Sequence, residues 1–184
     1  MVARIKPAVA PFAPKIQHIL KSVMPAGMEP LVLFTTLARD ERLFRKFFAG
    51  ALLDDGHLTL RQREIVIGRT TARCGSEYEW GVHIALFGAR ANLTEDQIGS
   101  LVDGASSDAC WDEEATVLLR LCDELHEDVG VSEETWERLR ERFDDEAILE
   151  LLMLAGFYRT VSYLTNVLQL PLEPRGRRFS KPED

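Results

Sequence analysis

The chain has 184 residues, of which 46% are hydrophobic and 28% are charged, and this is enough for one domain with a sizeable core. Its formal net charge of −8 opposes a nucleic-acid partner, because nucleic-acid binding needs a basic face. Its three cysteines are an odd number without a Cys-x-x-Cys pair, which excludes a disulfide framework and a thioredoxin-like redox pair.

Residues 1–14 are predicted to be an extended arm, because Pro7, Pro11 and Pro14 interrupt regular structure. The same prolines break the apolar segment that a secretory signal peptide requires. No run of apolar residues approaches the ~20 that span a bilayer. We therefore expect a cytoplasmic protein without a membrane partner.

The spacing of apolar residues predicts three helices in the first third of the chain, over residues 15–24, 29–39 and 41–53. Pro25 ends the first helix, and Pro30 takes the first position of the second. One wide apolar face of the third helix contains Leu43, Phe44, Phe47, Phe48, Ala51 and Leu52. Such a face belongs either to the core or, together with the arm, to a contact between subunits.

Two helices then meet at a tight break, and the rest of the chain is organised around them. Thr59 opens a capping-box pattern at the start of a helix that runs to about Cys74, and Gly75 ends this helix. The next helix opens at Ser76 and runs to about residue 91.

Three further helix starts are marked by side chains that accept hydrogen bonds from the backbone. Thr94 opens a second capping-box pattern, Asp112 caps a helix that runs to about residue 127, and Ser132 caps a short one.

The last long helix is predicted from about residue 145 to residue 168. It is apolar nearly all round at its start, which places it at the centre of a bundle. Residues 174–184 are predicted to be a frayed, polar tail. Since no segment alternates as a strand does, we predict an all-α fold, one domain of about eight or nine helices over residues 1–184.

Glu64 lies on a mostly apolar stripe of the helix that begins after Thr59. Burial disfavours the charged form of a carboxylate and raises its pKa, which suits proton transfer near neutral pH. The structural alternative is that Glu64 pairs with an arginine from another helix.

Glu79 and His83 are four residues apart, so they share one face of the next helix. A carboxylate beside an imidazole raises the pKa of the histidine and fixes its tautomer. A histidine among apolar neighbours can also be a core residue. The paired acid, the nearby helix start and the acidic helix beside it favour a catalytic interpretation.

Ser76, Tyr78 and Trp80 complete the predicted site as substrate-binding residues. The helix start at Ser76 directs backbone N–H groups at an anion, and the two aromatic side chains can form the wall of an apolar pocket. Each has a structural alternative, because Ser76 and Glu79 also form a capping-box pattern and the aromatic residues also suit the core.

Glu64, Glu79 and His83 are an acceptable ligand set for a divalent metal, but no second ligand-bearing helix stands out, and we predict no metal and no other cofactor. Cys74 comes directly before the glycine that ends its helix. We interpret it as a small buried residue, and we interpret Cys110 and Cys122 as structural.

The segment REIVIGRTTARCGSEYEWGVH, residues 63–83, resembles the carboxymuconolactone decarboxylase and alkyl hydroperoxidase D-like superfamily. The core motif covers residues 58–104, and residues 157–174 resemble its longer members. The resemblance implies a helical bundle of the alkyl hydroperoxidase D type that assembles as a homo-oligomer.

The peroxidase branch of that superfamily uses a Cys-x-x-Cys, a histidine four residues after the second cysteine, and a glutamate on the preceding helix. Alignment on His83 puts Ser76 and Glu79 at the two cysteine positions and Glu64 at the glutamate. Thiol peroxidases need one thiol to attack the peroxide and another to resolve the product, so the resemblance favours the decarboxylase branch.

The resemblance therefore implies a carboxymuconolactone decarboxylase-like enzyme, a lyase, that acts on a small organic acid or lactone. Glu64 would be the general acid or base, His83 its partner tuned by Glu79, and Ser76 would hold the anionic end of the substrate. Two alternatives remain open: a peroxiredoxin-like antioxidant protein that works through Cys74, and a non-catalytic ligand-binding homologue.

Overall fold

The structure is a computed structural model and describes residues 3–179, which contain nine α-helices and no strand. The all-α prediction of eight or nine helices is confirmed for this part of the chain. The helices are α1 (Pro14–Val23), α2 (Val32–Leu37), α3 (Glu41–Ala49), α4 (Leu60–Arg73), α5 (Glu77–His83), α6 (Glu95–Asp103), α7 (Glu113–Asp128), α8 (Glu133–Arg140) and α9 (Asp145–Val167).

Most helix starts follow the capping signals in the sequence. Thr59 and Thr94 each form the complete capping box, and Asp112 and Ser132 accept hydrogen bonds from the first turns of α7 and α8. Gly75 takes a positive φ of 62° directly after α4, a conformation that glycine adopts without strain. These local rules fix where α4, α6, α7 and α8 begin.

The start of α2 was predicted wrongly, since the helix begins at Val32 rather than at residue 29. Distant side chains bind its first N–H groups: Val32 N donates to Glu173 Oε1 at 2.6 Å, and Leu33 N donates to the Tyr78 hydroxyl at 3.0 Å. Contacts between parts of the chain far apart in sequence therefore decide this boundary, and no local pattern predicts them.

The third predicted helix is also shorter than expected, because α3 ends at Ala49 and Leu52 has a positive φ of 50°. The core interpretation of its apolar face is confirmed for Phe44, which is fully buried and packs with Ile16 and Leu20 of α1. The N-terminal arm packs on its own chain through two backbone hydrogen bonds, Arg4 N to Leu168 O and Ala8 N to Thr35 O, both 2.9 Å long. Residues 1 and 2 of the arm lie outside the described residues.

The helix after the central break has two parts, where the sequence predicted one helix to about residue 91. α5 ends at His83 and continues into a single π-helical turn, Ile84–Gly88. Asn92 then takes a positive φ of 54° and ends the segment. π turns are often found at functional sites, and this one follows His83 directly.

α4 is the helix that organises the bundle, because it packs against α5, α6, α7 and α9. Eight consecutive residues of α4, 64–71, are buried. α9 also contributes to the core through Ile148, Leu151 and Val161, but its opposite face is exposed, contrary to the prediction that it lies at the centre. By length and composition, α9 could span a membrane, yet in this fold it packs as a helix of the core.

The segment after α9, residues 170–179, lies across α5, and we call it the C-terminal strap. Arg177 N donates to Gly81 O at 2.9 Å, and the rings of Phe179 and Trp80 are 5.0 Å apart. The predicted frayed tail is therefore wrong for residues 174–179, while residues 180–184 lie outside the described residues.

Candidate functional site

Glu64, His83 and Glu79 meet where α4 packs against α5. Glu64 Oε2 is 2.8 Å from His83 Nδ1, and Glu79 Oε1 is 3.4 Å from His83 Nε2. All three side chains are buried, with exposed fractions of 2%, 4% and 6% for Glu64, His83 and Glu79. The structure thus brings together the three residues that the sequence analysis proposed as catalytic.

The two carboxylates determine the charge of His83. Burial by itself lowers the pKa of His83, but the charge and hydrogen bond of Glu64, followed by those of Glu79, outweigh burial and raise this pKa to about 10. At neutral pH the imidazole is therefore protonated, and each ring N–H is directed at a carboxylate oxygen. In residues 3–179, no group of three or more potential ligands is arranged to hold a metal ion.

Each carboxylate at the site keeps one buried oxygen without a partner. Glu64 Oε1 and Glu79 Oε2 make no hydrogen bond to any described residue, and the nearest cation to Glu64 Oε1 is Arg63 Nε at 3.9 Å. The predicted structural alternative, an arginine from another helix paired with Glu64, is not observed. An unpaired buried carboxylate oxygen costs free energy unless a ligand or proton satisfies it.

A cavity of about 70 Å³ lies in front of His83 and Glu79. Its remaining walls are almost entirely apolar side chains from α2, α3, the π turn and α9, including Phe34, Phe47, Phe48, Leu86, Phe87, Phe157 and Tyr158. Glu64 does not line the cavity and lies behind His83. Of the three predicted catalytic residues, His83 and Glu79 can therefore touch a molecule bound in the cavity. Glu64 can act on such a molecule only through His83.

Tyr158 is part of this cavity, and sequence reasoning missed it. Its ring packs edge-on against His83 with 5.0 Å between the ring centres. Burial, together with the charges of Glu79 and Glu64, raises the pKa of Tyr158 well above its usual range, so its hydroxyl stays neutral and can donate a hydrogen bond. The only signal in the sequence was the resemblance of residues 157–174 to longer members of a known superfamily.

Ser76 does not line the cavity, and it does not form the capping box that its sequence suggests. Its side chain is fully buried, and its hydroxyl is 2.8 Å from Thr165 Oγ1 on α9. Glu79, the other half of the predicted box, contacts His83 instead. The structure gives no support for Ser76 as a substrate-binding residue.

Tyr78 and Trp80 do not line the cavity at His83, and their predicted role in substrate binding stays a prediction. The Tyr78 hydroxyl accepts from Leu33 N and donates to Glu173 Oε1 at 2.5 Å. Burial and the adjacent Glu173 carboxylate raise the pKa of Tyr78 well above its usual range. Trp80 is buried under Phe179 of the C-terminal strap. Both aromatic side chains anchor α5 to neighbouring segments.

Comparison with known proteins finds a family match over part of the chain and a shared fold. Residues 41–122 match the sequence profile of the carboxymuconolactone decarboxylase family, a span that runs from the start of α3 into α7 and includes Glu64, Glu79 and His83. A search of curated proteins finds none that matches this chain.

Three solved structures share the fold of this chain over most of its length. A peroxidase-related protein from Ralstonia eutropha JMP134, described as an alkylhydroperoxidase AhpD core, superposes with a TM-score of 0.74 and 21% identity over 92% of this chain and 93% of its own. A peroxidase-related protein from Silicibacter sp. TM1040 superposes with a TM-score of 0.78 and 18% identity over 91% of this chain and 90% of its own. A protein of unknown function from Agrobacterium tumefaciens superposes with a TM-score of 0.64 and 17% identity over 73% of this chain and 93% of its own. At such identities the likeness demonstrates a common fold.

Proposed function

We propose that this chain, whose residues 41–122 match the carboxymuconolactone decarboxylase family, is an enzyme that acts on a small organic acid or lactone by acid–base chemistry. The observation that supports this most is the cavity that ends at His83 and Glu79, with Glu64 behind them. We further expect a cytoplasmic homo-oligomer.

The geometry supports a division of roles among the three residues. Glu79 carries an unpartnered oxygen and would be the general base that removes a proton from the carbon next to a substrate carbonyl. His83, held protonated, would donate a proton to the carbonyl oxygen as the negative charge develops there. Glu64 would keep the imidazole charged and oriented. This assignment differs from the sequence-based one, in which Glu64 was the general acid or base.

The charge of the cavity favours the lactone over the organic acid. Two carboxylates face one imidazolium, and none of the residues lining the cavity is lysine or arginine. An anionic substrate would enter a low-dielectric site whose one lining cation, His83, is already paired with two carboxylates. An uncharged lactone with an apolar body matches both the aromatic walls and the charge.

Proton exchange tests the proposal even while the complete reaction is unidentified. Unsaturated five- and six-membered lactones would be incubated with the protein in D₂O, and exchange of the proton next to the carbonyl would be followed by ¹H NMR. We expect exchange with at least one lactone, and a loss of about 10²–10⁴-fold in Glu79→Gln and His83→Gln. Glu133→Gln, which changes an exposed glutamate at the start of α8, is the matched control and should retain the rate. Exchange that survives in both site variants would eliminate the proposal.

The antioxidant alternative receives less support from the site. Ser76 and Glu79 occupy the positions of the redox cysteines in the resemblance, and the Ser76 hydroxyl is already bonded to Thr165. Cys74 does not line the cavity, and burial raises the pKa of its thiol, which lowers its reactivity. If the protein consumes peroxide and Cys74→Ser abolishes this consumption, the alternative replaces our proposal.

The third possibility is a non-catalytic homologue, in which Glu64 would pair with an arginine from another helix and no cavity would face His83. Instead, Glu64 contacts His83, and a cavity faces His83. Both observations favour an enzyme.

A further inference from the structure

A second and larger cavity, of about 370 Å³, lies between α4, α7 and α9. We call it the α4–α7–α9 cavity. It shares no lining residue with the cavity at His83: α9 contributes Leu152, Ala155, Gly156, Arg159 and Tyr163 here, but Phe157 and Tyr158 there. Its volume lies within the usual range of ~300–1,000 Å³ for small-molecule sites. The proposed acid–base chemistry uses none of its residues.

Thr70 is a buried polar residue that lines this cavity without a hydrogen-bond partner. Its side-chain oxygen makes no hydrogen bond to an oxygen or nitrogen atom of any described residue and has only the weakly polar Cys122 thiol beside it, and the residue is 8% exposed. Most buried hydroxyl groups in proteins are paired, so an orphaned one on a cavity wall points to a ligand that satisfies it.

Arg159 provides a positive charge on the same cavity. Its Nη1 donates to the carbonyl oxygens of Leu125 and His126 at 3.2 and 3.3 Å, and its Nε donates to the Tyr163 hydroxyl at 2.9 Å. These bonds hold the guanidinium against the end of α7. Among residues 3–179, Arg159 has no carboxylate partner, and the cavity is lined by no aspartate or glutamate. In a chain with a net charge of −8, a cavity that carries an arginine and no acid favours an anionic ligand.

The rest of the wall is apolar, with space for a hydrophobic group. Leu125, Leu152 and Ala155 line it, and a Cβ atom placed on Gly156 would meet nothing within 4 Å. The Cys74 thiol, 3.9 Å from His126 Nδ1, adds a weakly polar edge. The cavity thus combines one cation, one unpaired hydroxyl and an apolar surface.

We infer that the α4–α7–α9 cavity binds a small monocarboxylate with an apolar body, such as an aryl or short-chain carboxylic acid. The carboxylate lies on the Arg159 guanidinium, the body packs on Leu125, Leu152 and Ala155, and the Thr70 hydroxyl is satisfied by the ligand. This inference does not rest on the proposed lactone chemistry, since no residue is shared between the two sites.

The test is a titration of the full chain with benzoate and with octanoate, followed by isothermal titration calorimetry and by methyl NMR of the leucines and alanines. Benzamide and 1-octanol are the uncharged controls. We expect dissociation constants below about 1 mM for at least one acid, and binding at least tenfold weaker for its uncharged analogue. Shifts should concentrate at Leu125, Leu152 and Ala155.

Four variants make the result specific. Arg159→Gln should weaken carboxylate binding at least tenfold and leave binding of the uncharged analogue unchanged, while Arg159→Lys should restore part of it. Leu152→Trp, at a lining residue outside the exposed row of α9, should fill the cavity and abolish binding of both. Arg142→Gln, which removes an arginine in the loop between α8 and α9 that does not line the cavity, is the control and should bind as the wild type does. Circular dichroism verifies that each variant is folded.

Four outcomes would overturn the inference. They are dissociation constants above about 10 mM, equal affinity for acid and uncharged analogue, unchanged binding in Arg159→Gln, and NMR shifts at the His83 cavity instead. The lactone-exchange assay is a separate readout. Loss of carboxylate binding with intact exchange would contradict this inference alone, and the reverse result would contradict the proposed function alone.

Discussion

At His83, two carboxylates hold an imidazolium in the interior of the protein, and this arrangement links folding to pH. The folded chain keeps the proton on His83 up to about pH 10, whereas an unperturbed histidine releases it near 6.5. Between these two values the folded state binds more protons than the unfolded state. The contribution of His83 to stability is therefore complete below pH 6.5 and is lost as the pH rises towards 10.

The first prediction follows from this linkage. The free energy of unfolding, measured by urea denaturation, should fall by at least ~1 kcal/mol more between pH 6.5 and about 9.5 in the wild type than in His83→Gln, because only the wild type has this proton to lose. Other groups titrate in the same range, and the comparison with the variant removes their contribution. Equal pH dependence in the two proteins would show that His83 is not charged when folded.

Helical spacing was sufficient to predict that Glu79 and His83 share one face of a helix. That Glu64 meets them from the preceding helix was predicted from the family resemblance, and the structure shows this contact. Helical spacing failed at Ser76, where the same kind of spacing suggested a cap. The hydroxyl of Ser76 instead bonds Thr165, 89 positions later in the chain. Tyr158 reaches the site from α9 in the same way, and no local pattern could place it.

At the scale of single helices, two glycines in helix interiors have opposite surroundings. A Cβ atom on Gly68 of α4 would lie 2.8 Å from Cδ1 of Leu101, which is fully buried and has little room to move. A Cβ atom on Gly99 of α6 would meet nothing within 4 Å. Close packing of α4 on α6 therefore leaves little room for a side chain at position 68, whereas position 99 has room for one.

The second prediction is that Gly68→Ala and Gly99→Ala change stability in opposite directions. Gly99→Ala should raise the free energy of unfolding by up to ~1 kcal/mol, since alanine restricts the unfolded chain and favours the helix. Gly68→Ala should lower it by ~1–3 kcal/mol, because overpacking outweighs the same gain. Urea denaturation measures both, and a stabilised Gly68→Ala would contradict the packing described here.

The C-terminal strap makes a similar close contact with α5. A Cβ atom on Gly81 would collide with the carbonyl oxygen of Arg177, a backbone atom that cannot rotate away as a side chain can. The strap also carries Glu173, which binds both Tyr78 and the first N–H of α2. The strap thus holds both the start of α2 and α5 in place, and neither contact could be predicted from the local sequence.

The third prediction concerns this contact. Gly81→Ala should displace the strap, so that trypsin cleaves after Arg175, Arg177 and Arg178 several times faster than in the wild type, while the far-ultraviolet circular dichroism is unchanged. Gly99→Ala is the control, because it adds the same methyl group where nothing is crowded. Cleavage rates that are equal in all three proteins would show that the strap is not held by Gly81.

At the scale of the whole molecule, α9 exposes a row of residues that includes large apolar side chains. Such exposure is unexpected for an isolated chain, because an apolar helix face is usually buried. The row runs through residues 149, 153, 156, 160, 163 and 167, in steps of four and three. Leu149 and Met153 are each 61% exposed, Tyr163 is 55% exposed and Val167 is 59% exposed. The sequence pattern was strong enough to predict a buried helix, but it could not distinguish burial by the same chain from burial by another copy.

The fourth prediction is that two copies pair through this row. Steps of four and three are the spacing by which two helices pack along a seam, and the row is symmetric about its middle. In an antiparallel pair with two-fold symmetry, Leu149 would lie opposite Val167 and Met153 opposite Tyr163, so one patch contacts itself. The sequence analysis expected an oligomer but placed the contact on the arm and on the apolar face of residues 43–52, which is largely turned into the core.

Analytical ultracentrifugation should give the wild-type chain, whose monomer is 20.8 kDa, the mass of a dimer. The double variant Leu149→Glu, Met153→Glu should sediment as a folded monomer, because four carboxylates in a pair would have to be buried without cations. Leu43→Glu is the matched control: Leu43 is comparably exposed, at 46%, and belongs to the face that the sequence analysis favoured. A dimer that dissociates with Leu43→Glu and persists in the double variant would place the interface on α3, and a monomeric wild type would leave the exposed row of α9 without this explanation.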